Sequence, residues 1–143
     1  MQKYKGFTLI ELLVVVSIIA ILSIIGLVAY RTFLKNARDV KRQSDLKFIQ
    51  SAIEEYHSDL KYYPVQVTPG SSLSGGARTY LTKVPNDPTG NPEYSYIPSP
   101  ANCDNSAQNC TSFCLYAKLE GLVLNSDAGC TPTSPYTYGV TRP

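Results

Sequence analysis

The sequence predicts an α+β fold: one long N-terminal α-helix, transmembrane and then amphipathic, packed on a small antiparallel β-sheet. Three observations carry this. Leu12 to Tyr30 is an apolar run of nineteen uncharged residues, and it leads without a break into apolar residues at every third or fourth position. All ten prolines lie at or after Pro64, together with seven of the nine glycines. Short stretches with strand-like alternation follow in that last part.

The first element is short. Met1 to Gly6 is polar and carries Lys3 and Lys5. These two lysines account for the whole excess of 13 basic over 11 acidic residues. The chain beyond Gly6 therefore has no net side-chain charge, which weakens long-range repulsion between copies and is compatible with self-assembly. The same balance disfavours a basic nucleic-acid-binding domain, and no nucleic-acid partner is expected.

Residues 7–30 are apolar apart from Thr8, Glu11, Ser17 and Ser23. About 20 apolar residues cross a bilayer core as a helix. A secretory signal has a shorter apolar core followed by a small-residue cleavage site, and no A-x-A follows here. A buried soluble helix is disfavoured too, because the 80 residues beyond Tyr63 cannot cover such a helix on every side.

The helical pattern continues over residues 31–63. Phe33, Ala37, Val40, Ser44, Phe48, Ala52, Tyr56 and Leu60 recur at helical spacing, and Ile49 and Ile53 widen the stripe. This stripe is expected to pack on the sheet. Lys35, Arg38, Asp39, Arg42, Asp45, Glu54, Glu55 and Asp59 are assigned to the solvated remainder, with weak Lys35–Asp39 and Lys41–Asp45 pairs. One helix is expected from about Phe7 to Tyr62, ended by Pro64 and on the order of 80 Å long. Gly26 is its one weak point, at about 1 kcal/mol relative to alanine.

Residues 64–143 form the expected head. Val65 to Asn91 reads mostly as loop, punctuated by Gly70, Gly75 and Gly76, with Thr79 to Leu81 a short helical or extended piece. Asn86-Asp87-Pro88 and Gly90 mark turns. Strand candidates are Tyr94–Ile97, Phe113–Leu119, Leu122–Leu124 and Tyr136–Val140, with Glu120-Gly121 turning the second into the third. Such a sheet could bury one face on the helix stripe.

The four cysteines, at 103, 110, 114 and 130, permit three pairings. No C-x-x-C is present, so zinc-ribbon and thioredoxin-type sites are disfavoured, and two disulfides in an oxidising compartment are expected. The expected pairing is Cys103–Cys110, closing a short polar loop, and Cys114–Cys130, tying a strand to the turn after its partner.

Little else carries chemistry. One histidine excludes a multi-histidine metal or catalytic constellation. His57, near Glu54 and Asp59, reads as a solvated helix-face residue, since neither a nucleophile nor an oxyanion site accompanies it. The basic run Arg31 to Arg42 reads as a solvated flank. Asn125, Ser126 and Asp127 form an oxygen-rich turn but not the spacing of an EF-hand, and calcium needs six or more oxygens. No catalytic residue, metal or cofactor is expected, and the chain reads as a non-enzyme. No phosphate-cradling loop is present, so energy for any assembly must come from a separate ATPase.

One motif is specific. Lys5-Gly6-Phe7-Thr8-Leu9-Ile10-Glu11-Leu12-Leu13-Val14-Val15-Val16 closely resembles the class III signal of type IV prepilins and type II secretion pseudopilins. The resemblance implies a pilin fold with a leader peptide over 1–6 and a transmembrane, filament-core helix over 7–30. It further implies an amphipathic helix half over 31–63 and a globular head over 64–143. It implies cleavage between Gly6 and Phe7 by prepilin peptidase and N-methylation of Phe7. Glu11 would serve subunit assembly by engaging the amino terminus of a neighbour. A carboxylate on a membrane helix costs roughly 2.5–3.5 kcal/mol near the bilayer centre, so it needs a partner.

Further along, Arg38-Asp39, Arg42, Asp45-Leu46, Ile49, Ala52-Ile53-Glu54, Tyr56, Asp59, Tyr63-Pro64, Tyr80-Leu81, Val84-Pro85, Asp87-Pro88 and Tyr94-Ser95-Tyr96 are similar to the G-type major pseudopilins. Two positions depart from the pattern. Val28 stands where many relatives carry proline, and Thr89 stands where G-type proteins commonly carry tryptophan. The implied function is a structural subunit of a type IV pilus-like filament, a helical homopolymer. The alternatives are a major pseudopilin of a type II secretion system and a membrane-anchored extracytoplasmic binding module that never polymerises. Implied partners are other copies of the chain, the peptidase, an inner-membrane assembly platform with its ATPase, and the membrane before assembly. The implied locations are the cytoplasmic membrane for the precursor, then a surface filament or periplasmic pseudopilus. The positive-inside count opposes this topology, because Arg31, Lys35, Arg38, Lys41 and Arg42 follow the apolar run. The signal and the cysteines together outweigh it.

Overall fold

A computed structural model describes residues 6–122 and 125–142. The leader residues 1–5 and most of the strand expected at 122–124 lie outside the described residues.

Helix α1 spans Leu9–Leu60. It begins at a capping box. The backbone N–H of Glu11 donates to Thr8 Oγ1 at 3.3 Å, and the Glu11 carboxylate accepts the Thr8 backbone N–H at 2.9 Å. Two otherwise orphaned N–H groups are satisfied by this exchange. The helix ends where Lys61 takes a left-handed backbone with φ 65°, its N–H donating to the His57 carbonyl at 2.8 Å. The stop thus falls ahead of Pro64, and both ends lie two residues inside the expected ones.

The chain divides into two compact units, residues 1–35 and 36–143. The described part of the first is almost entirely helix, with its apolar side chains exposed on every side: Phe7, Leu9, Ile10, Leu12 and Leu13 are all at least 60% exposed.

The second unit has an interior of its own. A two-stranded antiparallel hairpin joins β1 (Leu73–Gly75) to β2 (Arg78–Leu81). A three-stranded antiparallel sheet has the order β3 (Ser95–Ser99), β4 (Ser112–Ala117), β5 (Tyr138–Val140). Tyr96 pairs with Leu115, which pairs in turn with Val140. Leu46, Ile49, Ala52, Ile53 and Tyr56 of α1 share one core with Phe113, Leu115, Ala117 and Val140 of the sheet. The alternation expected along β4 holds, with Phe113, Leu115 and Ala117 buried and Cys114 half-buried.

Two expectations are corrected and one is refined. The helix stripe is only partly the buried one: Ile49, Ala52, Ile53 and Tyr56 are buried, whereas Phe33, Val40 and Phe48 are 67%, 59% and 54% exposed. The buried face is completed instead by Asp39, Arg42 and Asp45, which the sequence placed in solvent. Residues 65–91 are mostly loop, as expected, and Thr79–Leu81 is extended, but it is part of a β1–β2 hairpin that the sequence did not announce. That hairpin sits tightly on the helix: a Cβ at Gly75 would come within 2.5 Å of Tyr56 and 2.6 Å of Leu60. Finally, β4 is partnered by β3 and β5, and Leu122 belongs to no strand.

The cysteines form the disulfides Cys103–Cys110 and Cys114–Cys130. The first closes the loop beside the helix end, where the Tyr63 N–H donates to the Cys110 carbonyl at 2.9 Å and Asn105 Nδ2 donates to the Tyr63 carbonyl at 2.8 Å. The second joins β4 to the segment that precedes β5.

Candidate functional site

Two places concentrate unusual chemistry, one in each unit. In the first unit, Glu11 is the sole acidic residue among the exposed apolar side chains of 7–30. Its Oε2 accepts both the Thr8 N–H at 2.9 Å and the Thr8 hydroxyl at 2.6 Å. The carboxylate lies in a shallow groove with Phe7, Ile10, Val14 and Val15. A cut between Gly6 and Phe7 would create a cationic amine one residue from Thr8. The Thr8-x-x-Glu11 signature of the capping box was legible in the sequence and went unused there. Ser17 and Ser23 return their hydroxyls to the carbonyls of Val14 and Ile19 at 2.8 and 2.7 Å, so neither presents an unsatisfied donor to an apolar medium.

In the second unit, Arg42 is a hub. Nε donates to Asp87 at 2.6 Å, Nη1 to Asp39 at 2.8 Å and to Glu120 at 2.7 Å, and Nη2 to Asp87 at 3.1 Å and Thr89 Oγ1 at 3.2 Å. The guanidinium fork has five donors, and each finds an acceptor. Asp39 in turn accepts the backbone N–H groups of Glu120, Gly121 and Leu122 at 2.8–3.0 Å. Arg38 grips Glu120 from outside at 2.8 and 2.5 Å. Alongside, Asp45 takes Lys41 Nζ at 2.5 Å and the Tyr94 hydroxyl at 2.9 Å. Asp39 is thus partnered by Arg42, at i+3, where the sequence suggested Lys35. The expected Lys41–Asp45 pair is present.

The electrostatics agree with the geometry. Burial pushes the Asp39 carboxyl up, but the backbone N–H groups and Arg42 outweigh it and hold it below the usual range. Burial acts likewise on Asp87, and Arg42 and Thr89 reverse it. Hydrogen bonds from Arg38, and then from Arg42, lower Glu120 to about 2 against an opposing effect of burial. Hydrogen bonding to Asp87 raises Arg42 against its own burial. The hub ties α1 to the 87–89 turn and to the 119–122 turn. Each acid of the hub faces a fixed cation, hydroxyl or N–H. The basic run after the apolar segment is corrected accordingly, since Arg38, Lys41 and Arg42 are committed to Glu120, Asp45 and the hub.

The remaining candidates have structural partners. His57 is half-buried and stacks on Tyr63, with ring centroids 4.3 Å apart. This corrects its reading as a solvated residue. Burial, then Glu54, pushes the Tyr63 hydroxyl up to about 12. In the oxygen-rich turn, Ser126 Oγ accepts the Gly139 N–H at 3.0 Å and Asp127 accepts the Thr141 N–H at 2.9 Å. These bonds fix β5. Among the described residues, no group of three or more His, Cys, Asp or Glu side chains is arranged to hold a metal ion.

Comparison with known proteins follows this division. The family described as "Prokaryotic N-terminal methylation motif" matches residues 1–27. The chain is 62% identical over 37 residues to prepilin peptidase-dependent protein D of Escherichia coli, which covers 26% of this chain and 25% of that protein. It is 38% identical over 63 residues to fimbrial protein EcpC of Eikenella corrodens, covering 44% of this chain and 41% of that one. The chain thus spans well under half the length of these two relatives. It is 32% identical over 107 residues to type II secretion system core protein G of Pseudomonas aeruginosa, covering 67% of this chain and 75% of that protein. No solved structure matches the chain.

Proposed function

Because the chain belongs to the type IV pilin and type II secretion pseudopilin family, we propose that it is a structural subunit of a type IV pilus-like filament. Prepilin peptidase would cut between Gly6 and Phe7, and Phe7 would be N-methylated. Residues 7–30 would anchor the precursor in the cytoplasmic membrane and then form the filament core. Glu11 would meet the new amino terminus of a neighbouring copy in an apolar surround, where water does not compete for the pair. An assembly platform and its ATPase would supply the work. The head from residue 36 onward would be a non-catalytic outer surface.

One observation carries this reading. The described large apolar side chains of residues 7–30 are exposed on every side of their helix, while the head has a core of its own. At roughly 25 cal/mol per Å², such a surface has two chemically suitable environments, a bilayer and the same surface on other copies. The extension of similarity to protein G beyond the apolar segment favours, as a second reading, the periplasmic pseudopilus over a surface pilus.

The test is the intact mass and N-terminal sequence of the protein in sheared cell-surface material. A chain starting at Phe7 with one added methyl, recovered in filaments, is expected. A Met1 start, or recovery only from detergent-solubilised membrane, would leave an anchored binding module. Deleting the gene separates the two filament readings: loss of surface fibres marks a pilus, and exoproteins retained in the periplasm mark a pseudopilus.

A further inference from the structure

The basic run that follows the apolar segment divides in two. Arg38, Lys41 and Arg42 are consumed within the head, by Glu120, Asp45 and the hub. Arg31 and Lys35 are exposed, and among the described residues neither has a carboxylate partner. Four residues apart on one helix, they stand within about 40° of each other around its axis. Tyr30 and Phe33 belong to the same stretch and are 58% and 67% exposed. Lys47, the next basic residue after Arg42, comes more than three turns later than Lys35. The cations left unspent therefore sit together at the end of the apolar run, beside two exposed aromatic rings.

We infer that residues 30–35 form a collar for anionic phospholipid headgroups, with Arg31 and Lys35 holding the phosphodiester. The inference rests on the reading of 7–30 as the membrane anchor of the precursor, and adds to it the class of lipid and the residues that select it. Position is the first argument. The nineteen uncharged residues from Leu12 to Tyr30 rise about 28 Å as a helix, close to the roughly 30 Å of a hydrocarbon core. With that run in hydrocarbon, residues 30–35 fall in the headgroup layer, which is about 5–8 Å deep on each side. Side-chain chemistry is the second. A tyrosine ring suits that depth, with its body toward the acyl chains and its hydroxyl toward water. The aliphatic stems of Arg31 and Lys35 lie along apolar surface while their charged ends reach outward. Charge selects the lipid. A phosphatidylcholine or phosphatidylethanolamine headgroup carries its own cation beside the phosphate, whereas phosphatidylglycerol leaves its phosphate charge uncompensated. The Arg31 fork fits two oxygens of one phosphate, and Lys35 adds a point charge beside it. Water alone would satisfy the two cations, but it gives no reason for Tyr30 and Phe33 to be exposed at the same level.

The experiment uses the full-length chain in vesicles of phosphatidylcholine and phosphatidylglycerol in equal parts. Lys3→Gln and Lys5→Gln are present in every chain compared, so that the other end of the apolar run adds no preference. The protein is released into the gas phase and the lipids it retains are counted by native mass spectrometry. Phosphatidylglycerol is expected in excess. Arg31→Gln with Lys35→Gln should lower its ratio to phosphatidylcholine by roughly fivefold or more, with head melting unchanged. Lys83→Gln, at an exposed position of the head, should leave the ratio as it was. The charge-keeping exchange Arg31→Lys with Lys35→Arg should preserve the excess. Equal retention of the two lipids would overturn the inference, and so would an excess that survives the glutamine pair or is lost in the exchange. Vesicles contain no assembly machinery, so absence of filaments in cells would sink the subunit reading without touching this one. A chain that does not enter the bilayer at all would overturn both the collar and the membrane anchor.

Discussion

The two halves of α1 face opposite problems. Residues 9–35 carry one acidic group, Glu11, among large apolar side chains that are exposed wherever they are described. Residues 36–60 bury three charged side chains, Asp39, Arg42 and Asp45, beside Leu46, Ile49 and Ile53. The first half is apolar outside and has no interior; the second has a mixed outer surface, with Val40 and Phe48 exposed among polar residues, and charges within. The difference shows that one continuous helix can be folded for two solvents. Its first half is suited to hydrocarbon or to copies of itself, and its second half to water. The charges buried in the second half are paired, and they fix which face turns inward.

Breaking the hub should have the largest effect. Arg42→Met removes the shared cation of Asp39, Asp87 and Glu120 and leaves carboxylates buried with too few partners. A loss of about 3–5 kcal/mol is expected, read by denaturant unfolding of the detergent-solubilised protein. Next comes the core face beside it: Ile49→Ala should cost about 2–5 kcal/mol. The adjacent Phe48→Ala, on the exposed face, should stay within about 0.5 kcal/mol in the isolated protein. Equal losses for these two neighbours would erase the distinction between the faces.

Acid should act in the same direction as the hub variant, but gradually. The folded state holds Glu120 at about 2 against an ordinary 4.5, with Asp39 and Asp87 also depressed. The stabilisation is therefore fully present above pH 4.5 and lost as pH falls toward 2. Melting temperature against pH should drop across that window, and the drop should shrink in Glu120→Gln. The smallest effect belongs to the apolar half. Thr8→Ala removes one side of the capping box, at about 1 kcal/mol, and should appear as faster hydrogen exchange at the amides of residues 9–11 with head melting unchanged.

Much of the architecture was legible in local pattern. The uncharged run at 12–30, the absence of proline before Pro64 and the alternation along Phe113–Ala117 each depend on near neighbours. The prepilin motif depends on a few residues in register. What was missed depends on partners far away in sequence. Nothing within one turn of Asp39 announces that it will accept N–H groups from residues 120–122, or that Arg42 will reach Asp87. Without those partners, charged residues read as solvent-facing, so the inward face was drawn through Val40 and Phe48. The β1–β2 hairpin was hidden for a related reason. Its glycine-rich corner, with Gly75 ending β1 and Gly76-Ala77 as the turn, reads as loop, and only the packing of Gly75 on Tyr56 and Leu60 shows it to be part of the head. At Glu11 the helix-cap role is local, since it needs only Thr8 three residues earlier.

The grip of Asp39 on the 120–122 turn has a consequence for the order of folding. The carboxylate and the amides it receives are 81–83 residues apart. A chain synthesised from its amino terminus presents Asp39 and Arg42 long before the 120–122 turn arrives. Contacts of such separation form late, because the intervening chain must close first. Until then the inner face of the helix is an open row of charges, poorly suited to premature packing against apolar neighbours. A head truncated before residue 120 would therefore lack the N–H groups that hold Asp39 and would leave that carboxylate short of partners on the inner face of the helix.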